Sequence, residues 1–425
     1  MAGASIKKAG IDPTTSATTG TFSFWVKFHN ARTDGNDYFL FSSYDDANSR
    51  MHIKIDGSGN LDINERISSS TSINLITDME YRDISGWYHF VIAINTTQAT
   101  AADRVKVYVN GEQITNFSTE TYPSQNEDIH CLQGNKVHYL GCYGGNVNSA
   151  NYCLDGSMSH CHFADGQQYA ASVFGETDTT TGEWKIKTEP TVTYGNNGWF
   201  IFKDNSALTN HAGNSAGNFV LDTGTITKCE DSPSNVFATL NPLSSLSNLT
   251  YANGSLQVTG ASSNVWKTTF SSIGMMYGKA GKFYCEMKVS TLNSQAGIGV
   301  WGQPLPATTT SNYFPNHHQY GFVYKEDGSV SDDSQTFYTG SSFTSGDIIQ
   351  CALDLTNSKI YFGKNGTWQN SGDPTSGSTG TGAVALEDNG DFYFFTASSY
   401  GTDVLQMNFG NGYFGTTAIS SEGTN

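Results

Sequence analysis

Residues 87–94 read Trp-Tyr-His-Phe-Val-Ile-Ala-Ile, and residues 104–111 read Arg-Val-Lys-Val-Tyr-Val-Asn-Gly. The first stretch is an apolar run of strand length. In the second, valines at 105, 107 and 109 alternate with larger polar or aromatic residues, which is the period of a strand with one buried face. Asn110-Gly111 is the strongest short signal for a two-residue hairpin. The two stretches therefore predict β-strands, with a return strand over residues 113–117.

The same patterns recur along the rest of the chain. Further strand-like segments cover residues 22–28, 138–142, 157–163, 199–202, 283–289, 297–301, 320–324, 348–354, 359–364, 392–395 and 405–409. A second Asn-Gly turn stands at residues 365–366. No segment combines an amphipathic helical period with capping residues. Short strands at regular spacing predict an all-β protein built from antiparallel sandwiches.

Composition supports folded β structure and argues against disorder. Hydrophobic residues make up 37% and charged residues 14% of the 425 residues, and the chain has 22 Tyr, 25 Phe and 45 Gly. Aromatic residues supply a core and glycines supply turns, whereas disordered chains are poor in aromatics. The length predicts two or three domains.

The charge balance argues against two classes of partner. Residues 1–243 carry 15 Lys/Arg against 26 Asp/Glu, and residues 244–425 carry 7 against 13. Neither half offers the excess of basic charge that phosphate backbones or anionic membranes attract, so we expect no nucleic acid partner and no membrane insertion. No apolar run reaches the roughly 18 residues of a membrane span. The opening Met1–Lys8 lacks the apolar segment of a signal peptide, so we expect synthesis in the cytoplasm.

The cysteines predict buried thiols more than a metal site. Seven occur, at residues 131, 142, 153, 161, 229, 285 and 351, so at least one is unpaired within the chain. No C-x-x-C supports zinc, and Cys285 and Cys351 lie in strand patterns where a thiol acts as a small apolar group. We expect buried reduced thiols. For the group Cys131, Cys142, Cys153 and Cys161, disulfides or a metal remain open alternatives.

Turn and strand spacing divides the chain into five parts. We predict an N-terminal arm over 1–20, a first sandwich over 21–203, a connector over 204–243, a second sandwich over 244–419 and a C-terminal tail over 420–425. The arm is expected to be ordered only where a neighbour holds it.

Residues 21–175, and onward to about 202, resemble a laminin-G-like, concanavalin A-like domain. That family carries a W-Y-H strand followed by a hairpin ending in V-N-G, as at Trp87–Asn95 and Arg104–Gly111 here. Asp155-Gly-Ser-Met is similar to a later D-G-x-hydrophobic strand of the family. The resemblance implies a jelly-roll-type antiparallel β-sandwich.

Residues 244–419 resemble a SPRY domain. Gly346–Asp354, followed by Lys359–Gly366 and Trp368, is similar to the signature hairpin of that family. Lys282–Glu286 and Gly297–Val300 match its earlier strands. The resemblance implies a second jelly-roll-type sandwich after an irregular connector.

The two modules in tandem resemble structural proteins of tailed bacteriophages, especially marine, cyanophage-like ones. The connector motifs Cys229–Asn235 and Ala238–Pro242 and the loop Asn95–Asp103 carry this likeness. It implies a non-enzymatic virion surface protein, such as a tail-fibre or spike tip, that presents lectin-like domains to a host-surface glycan or protein. Capsid decoration by a head-fibre protein, acting in virion assembly and stability, is one alternative. Partners would be other virion proteins and a second and third copy in a homotrimer.

A glycan-degrading enzyme is the other alternative, and the sequence argues against it. Laminarinase-like enzymes of this fold use two Glu and an Asp spaced as E-x-D-x-x-E on one strand, so that two carboxylates flank the scissile bond. Glu176-Thr-Asp178 begins this pattern, but Thr181 stands where the second Glu is needed. We expect no catalytic residues. His160 and His162, which flank Cys161, are more often surface or inter-strand groups than ligands.

The binding-site predictions follow from the two resemblances. SPRY domains bind through loops at one rim, and the matching loop Gly302–Gln319 is rich in Pro and Thr with several aromatic residues. Exposed aromatics suit sugar stacking or protein contact. We predict ligand binding by Trp301, Tyr313, Phe314, His317, His318 and Tyr320; burial of Tyr313 and Phe314 beneath the loop is the alternative. The polar tracts Asn146–Asn151 and Ser371–Gly382 are further candidate contact loops.

We expect no cofactor apart from calcium. Laminin-G-like domains often hold one calcium ion at the sandwich rim through Asp and backbone oxygens. The resemblance therefore implies Asp45, Asp46 and Asp155 as candidate ligands. The sequence contains no D-x-D-x-D-G loop in their support.

Overall fold

The structure is a computed structural model that describes residues 3–29, 35–204, 208–228, 230–244, 249–261, 265–302, 314–317, 319–388, 390–415 and 417–419. Strands account for 46% of the residues and helices for 6%. The predicted all-β class is confirmed. The chain divides into two compact units, Met1–Lys228 with Ser232–Val236, and Cys229–Asp231 with Phe237–Asn425.

Sixteen strands of the described residues belong to the first unit. They are β1 Ser5–Ala9, β2 Thr19–Phe28, β3 Tyr38–Asp46, β4 Ser49–Ile55, β5 Asn60–Ile67, β6 Ser70–Glu80, β7 Tyr88–Asn95, β8 Val105–Val109, β9 Glu112–Ile114, β10 Phe117–Thr121, β11 Val137–Leu140, β12 Gly156–Asp165, β13 Gly175–Thr177, β14 Trp184–Ile186, β15 Trp199–Ile201 and β16 Val220–Thr223.

Two antiparallel sheets enclose the core of the first unit. The larger sheet has eight strands in the order β10-β6-β5-β4-β3-β11-β1-β16, and the smaller has six in the order β15-β12-β2-β7-β8-β9. Phe22 and Phe24 of the smaller sheet and Phe41 and Ile53 of the larger belong to one buried cluster. Each such side chain contributes roughly 1.5–3 kcal/mol by leaving water. This arrangement is the sandwich that strand alternation predicts.

The hairpin prediction at Asn110-Gly111 is confirmed. Val109 pairs with Glu112, so a two-residue loop joins β8 and β9. Asn110 and Gly111 have φ of 48° and 87°, as the tight turn of such a hairpin requires.

Both ends of the first unit add strands beyond the predicted sandwich. The predicted arm over 1–20 contains β1, which pairs with β11 on one side and β16 on the other. The predicted connector over 204–243 contains β16. A strand needs a partner for its backbone N–H and C=O groups, and the sequence does not reveal that β1 and β16 pair with each other.

A third layer covers the outer face of the six-stranded sheet. The hairpin β13–β14 and the residues before it pack Ala171 and Phe174 against Val91 of β7. The indole Nε1 of Trp184 donates a hydrogen bond to Nδ1 of His89 at 3.0 Å. This sheet face is therefore occupied by the chain itself.

The second unit contains seventeen strands among the described residues. They are β17 Thr250–Ala252, β18 Gln257–Thr259, β19 Lys267–Phe270, β20 Met275–Met276, β21 Lys282–Thr291, β22 Ala296–Gly302, β23 Gly321–Lys325, β24 Ser329–Ser331, β25 Thr336–Thr339, β26 Ile348–Asp354, β27 Lys359–Lys364, β28 Thr367–Trp368, β29 Val384–Ala385, β30 Phe392–Ser399, β31 Val404–Asn408, β32 Tyr413–Phe414 and β33 Thr417–Ala418.

The second unit is also built on two antiparallel sheets. One runs β17-β18-β31-β21-β26-β27-β28, with β29 paired to β27; the other runs β19-β30-β22-β23-β24-β25, with β20 paired to β30. Met287 and Ile349 of the first sheet and Val300 and Phe322 of the second share one buried cluster. The predicted turn at Asn365-Gly366 is confirmed, because Lys364 pairs with Thr367.

Helical segments are short. They comprise the α-helix α1 at Ala101–Arg104 and 3₁₀ turns at His130–Leu132, Ala150–Tyr152, Ala171–Val173, Pro242–Ser244, Pro315–His317, Gln369–Ser371 and Gly377–Thr379. Within the described part of the chain, no helix has the length and apolar character needed to cross a membrane.

Candidate functional site

The outer face of the eight-stranded sheet in the first unit collects polar and charged side chains. In β4, Met51, Ile53 and Ile55 point into the core. Because successive strand residues point to opposite faces, Arg50, His52 and Lys54 lie on the outer face. In β5 the same alternation places Asp62, Asn64 and Arg66 on that face. The two strands pair without a shift of register between them.

Aromatic side chains border these polar residues. Phe39 and Tyr44 of β3 lie on the same outer face, and Tyr143 and Tyr152 reach it from the loop that follows β11. The ring centroid of Tyr143 lies 4.9 Å from that of Phe39 and 5.3 Å from that of Tyr44. Tyr152 lies 6.2 Å from Phe39, and 37% of its surface is exposed. The loop therefore places two tyrosine rings beside the aromatic residues on the outer face of the sheet.

A disulfide between Cys142 and Cys153 closes this loop at its base. We call residues 142–153 the disulfide loop. Ser42 of β3 donates a hydrogen bond from its hydroxyl to the carbonyl of Cys142 at 3.0 Å and accepts one from the N–H of Gly144 at 2.9 Å. A side chain at Gly144 would collide with the rings or Cβ atoms of Tyr139 and Tyr44. The disulfide loop thus lies directly on the sheet, and glycine permits the close approach.

Together these residues form one candidate site, which we name the aromatic–basic face. It comprises Phe39, Tyr44, Arg50, His52, Lys54, Asp62, Asn64, Arg66, Tyr143 and Tyr152.

A partly buried ion-pair network occupies one end of the aromatic–basic face. The ammonium of Lys54 lies 2.8 Å from Asp37 and 3.4 Å from Asp62. Burial opposes ionisation of Asp62, but Lys54 and His52 hold the pKa of this carboxyl below its usual value. Burial lowers the pKa of His52, so this imidazole is predominantly neutral near pH 7. Both carboxylates at this end therefore serve to hold Lys54.

The face offers the contacts that sugars use. Rings such as Tyr143 and Tyr152 can stack on the apolar face of a sugar ring. The amide of Asn64 donates to Asn74 of β6 at 3.2 Å, which fixes an amide pair on the sheet surface. Side chains that a sheet and a disulfide hold in place lose little conformational entropy on binding. The arrangement suits recognition of a polar ligand with flat apolar patches.

Two of the six predicted rim residues are not exposed as predicted. Trp301 is buried at 2% exposure and packs on Phe270 and Phe394. Phe314 is buried at 1% exposure, and its ring stacks on Trp266 at 3.8 Å. Both rings lie on the outer side of the seven-stranded sheet, where burial removes more apolar area from water than exposure on a loop would. For Phe314 the structure supports the alternative of a buried ring.

Of the other four predicted rim residues, the structure describes two. His317 is exposed, and Tyr320 is half-buried with φ of 63°. Tyr313 and His318 lie outside the described residues. The structure therefore brings Trp301 and Phe314 into separate packing clusters and provides no shared binding surface for them.

The three candidate calcium ligands do not assemble. Asp45 accepts a hydrogen bond from Lys136, and Nε2 of His130 lies 3.1 Å from the same carboxylate. Asp46 accepts a hydrogen bond from the N–H of Asn48 at 2.7 Å, and Asp155 lies beside His29. In the described ranges no group of three His, Cys, Asp or Glu side chains could hold a metal ion. Because the Lys136 ammonium already neutralises Asp45, these residues do not fit a calcium site.

Four of the described cysteines are the buried reduced thiols that we expect, and two form a disulfide, one of the alternatives left open. Cys131, Cys161, Cys285 and Cys351 are free and buried. Cys142 and Cys153 form the disulfide of the loop, which brings together two strand-flanking residues eleven positions apart. Cys229 lies outside the described residues. His138 accepts a hydrogen bond from the indole of Trp199 at 3.0 Å in the core.

Sequence reasoning missed the aromatic–basic face as a site. The signal was present, since Arg50, His52 and Lys54 alternate with core residues, as do Asp62, Asn64 and Arg66. The predicted contact loop Asn146–Asn151 lies within the disulfide loop, but its aromatic ends were not recognised. Joining the two signals requires knowing that β3, β4 and β5 are neighbours.

Comparisons with known proteins agree with this architecture. Residues 3–163 match a laminin-G-type family described as the Concanavalin A-like lectin/glucanases superfamily. Residues 282–412 match the SPRY domain family. No curated protein matches the chain.

Several solved structures are similar to parts of the chain. The SPRY domain of human HERC1 shares 18% identity over 40% of this chain and 98% of its own, with a TM-score of 0.32. The TRIM65 PSpry domain shares 15% over 40% and 89%, with a TM-score of 0.29. A heptameric SAP-like pentraxin from Limulus polyphemus shares 14% over 38% and 69%, with a TM-score of 0.27. No functional argument rests on these likenesses. The chain carries a concanavalin A-like, laminin-G-type domain followed by a SPRY domain, both of them β-sandwich folds found in binding modules.

Proposed function

We propose that this chain is a non-enzymatic surface protein of a virion that binds a host-surface glycan through the aromatic–basic face. The observation that carries the binding role is the juxtaposition of Tyr143 and Tyr152 with the polar residues of β4 and β5. The resemblance of the tandem modules to tailed-phage structural proteins supports the virion location. A tail-fibre or spike tip fits this role, with the chain present as a homotrimer beside other virion proteins.

A binding role without turnover is supported by the state of the nearby carboxylates. Retaining and inverting glycosidases need one carboxyl group that is protonated near neutral pH and a second that is ionised. Asp62 has a lowered pKa and, like Asp37, contacts Lys54. In the incomplete E-x-D pattern at Glu176-Thr-Asp178, Asp178 contacts Lys185 at 3.2 Å and its pKa is lowered to about 2, chiefly by N–H donors of Thr180 and Thr181. These environments favour ionised, ion-paired carboxylates over a general acid.

Glycan binding is tested with the full chain on a glycan array, with affinities measured by titration calorimetry. We expect Tyr143→Ala to weaken binding by about tenfold, because a stacked ring contributes on the order of 1–1.5 kcal/mol. Tyr108→Ala, on the covered face of the six-stranded sheet, is the matched control and should leave the affinity unchanged. Equal affinities of the Tyr143→Ala variant and the parent chain would count against the aromatic–basic face as the site.

Enzymatic activity and location need separate tests. Incubation of the full chain with host-envelope polysaccharide should yield no shorter products by size-exclusion chromatography; depolymerisation that depends on a single carboxylate would overturn the proposal.

Immunogold electron microscopy of virions labelled against this chain should mark the tail. Labelling spread over the head would instead assign the chain to capsid decoration.

A further inference from the structure

Two arginines of the aromatic–basic face stand directly opposite each other. Arg50 of β4 and Arg66 of β5 are cross-strand partners in the antiparallel pair. Directly opposite residues have Cβ atoms roughly 4.5–5.5 Å apart, and like charges in such a pair destabilise the sheet. Both side chains are half-buried and share the outer face. A pair of this kind carries a cost in stability that the fold itself does not require.

Neither guanidinium has an acidic partner among the residues that the structure describes. Arg50 donates from Nε to the carbonyl of Ala47 at 3.4 Å, and Arg66 donates from Nη2 to the carbonyl of Ser69 at 3.0 Å. Nε of Arg66 is buried and has no hydrogen-bond partner. An unsatisfied buried donor destabilises the fold, and more so when the group is charged.

This lack of a partner is not explained by a shortage of acidic residues. The chain has 39 Asp and Glu against 22 Lys and Arg. Lys54, two strand positions from His52 on the same face, contacts two carboxylates. The positive charge of the arginine pair is thus left uncompensated in an acidic protein.

The surroundings of the arginine pair define the kind of anion. Tyr44 is the cross-strand partner of Arg50 on β3 and lies 5.3 Å from Tyr143. Asn64 precedes Arg66 by two residues and therefore lies on the same face. Guanidinium groups bind carboxylate, sulfate or phosphate with paired N–H donors. Rings and an amide beside them suit the sugar that bears the acidic group.

We propose that the aromatic–basic face binds an anionic saccharide, with the carboxylate or sulfate of one sugar held between Arg50 and Arg66. The inference deepens the proposed function and rests on it, since it names the class of glycan that the face takes. The acidic group would accept hydrogen bonds from both guanidiniums, including Nε of Arg66, while Tyr44 and Tyr143 contact the sugar ring.

The test uses the full chain and three oligosaccharides of equal length by titration calorimetry: a neutral glucan, a uronic acid oligomer and a sulfated oligomer. Inorganic sulfate is titrated alone as a fourth ligand. We expect one acidic oligomer to bind at least about tenfold more tightly than the neutral one, with affinity falling as NaCl is raised. Arg50→Gln and Arg66→Gln should each lower that affinity about tenfold and leave any neutral binding unchanged.

Arg82→Gln provides the matched control. Arg82 belongs to the same unit and already pairs with Glu80 at 2.7 Å, so its replacement makes the same change in net charge without touching the arginine pair. It should leave the affinity for acidic oligomers unchanged. Thermal melting of each variant establishes that it is folded.

The outcomes separate the two proposals. Equal binding of neutral and acidic oligomers, or affinity unaffected by both Arg→Gln changes, overturns the anionic-saccharide inference and leaves glycan binding in place. Binding of inorganic sulfate but of no oligosaccharide overturns both, because it shows an anion site without a sugar site. If none of the four ligands binds, both proposals are likewise overturned.

Discussion

The outer faces of the two large sheets use polar residues in opposite ways. On the second unit, the hydroxyl of Tyr284 donates to Glu286 at 2.7 Å and the amide of Asn408 donates to the same carboxylate at 3.1 Å. On the first unit, Arg50 and Arg66 face each other with no described acidic partner. In the second unit neighbouring side chains satisfy the carboxylate of Glu286, whereas in the first unit the arginine pair leaves charge available to a ligand.

The loops beside the two faces also differ in how they are held in place. The disulfide loop of the first unit is closed covalently between Cys142 and Cys153. In the second unit, residues 369–382 lie against Tyr361 and are held by hydrogen bonds such as that from the N–H of Thr375 to Asp373 at 2.9 Å. A covalently closed loop fixes its aromatic side chains more firmly. We therefore expect the proposed glycan binding to be concentrated on the first unit.

Removing the disulfide should have the largest effect. Replacing Cys142 and Cys153 together by Ser is expected to destabilise the first unit by about 2–3 kcal/mol, because the unfolded chain regains the freedom of a short closed loop. Denaturant-dependent hydrogen exchange, followed by mass spectrometry of individual peptides, measures this for each unit. Peptides of the second unit should be unaffected, and Cys285→Ser serves as the control for thiol replacement. A loss spread equally over both units would contradict the assignment.

The next largest effect should be a pH dependence of stability caused by a buried carboxyl group in the first unit. Glu65 is fully buried beside the N–H of His130, and burial raises its pKa to about 8. A raised folded pKa means that its contribution to stability is complete below the ordinary value of about 4.5 and is lost as pH rises through about 8. Between pH 6.5 and 8 the free energy of unfolding should fall by about 2 kcal/mol.

The same urea titrations on a Glu65→Gln variant provide the control. Without an ionisable group at this position, the fall between pH 6.5 and 8 should largely disappear. A parent chain whose stability is flat across that range would show that Glu65 is ionised in the folded state at lower pH than we infer.

A third contrast lies in two hairpin turns, one joining β5 to β6 in the first unit and one joining β27 to β28 in the second. Ser68 and Ser69, next to Arg66, have φ of 49° and 74°, whereas Asn365 and Gly366 hold the same kind of turn in the second unit. Non-glycine residues at positive φ cost roughly 1 kcal/mol. Changing Ser68 to Asn and Ser69 to Gly should stabilise the first unit by about 1 kcal/mol in chemical denaturation. The reverse exchange, Asn365→Ser with Gly366→Ser, should destabilise the second unit by a similar amount.

The smallest effect should come from the arginine pair without ligand. Arg50→Gln is expected to stabilise the first unit by about 0.2–1 kcal/mol, because it removes the like-charge repulsion across β4 and β5. Tyr284→Phe on the second unit should instead destabilise by about 0.5–1.5 kcal/mol through loss of its hydrogen bond to Glu286. Urea denaturation at low salt measures both. Destabilisation by Arg50→Gln would indicate that the arginine pair supports the fold.

Particular residues show how far sequence reasoning reaches for the site. The chain order of Arg50, His52 and Lys54 reveals that they share a face, because alternation is a local property of a strand. Which strands lie beside them is not local, since β3 pairs with β11 from nearly a hundred residues away. The rim prediction erred at Phe314 for the same reason. An aromatic residue in a polar loop has the same local pattern whether it is exposed or packed beneath the loop.

The sequence by itself determined the all-β class, most strand positions, the Asn-Gly turns and the order of two sandwich modules, because these depend on side-chain period and turn chemistry within a few residues. Only the tertiary structure decided that β1 and β16 complete a sheet, that Cys142 bonds to Cys153 and that Arg50 faces Arg66. Those contacts join residues whose separation along the chain carries no local signal. They form because the fold buries the apolar faces of both sheets together and thereby fixes which strands become neighbours.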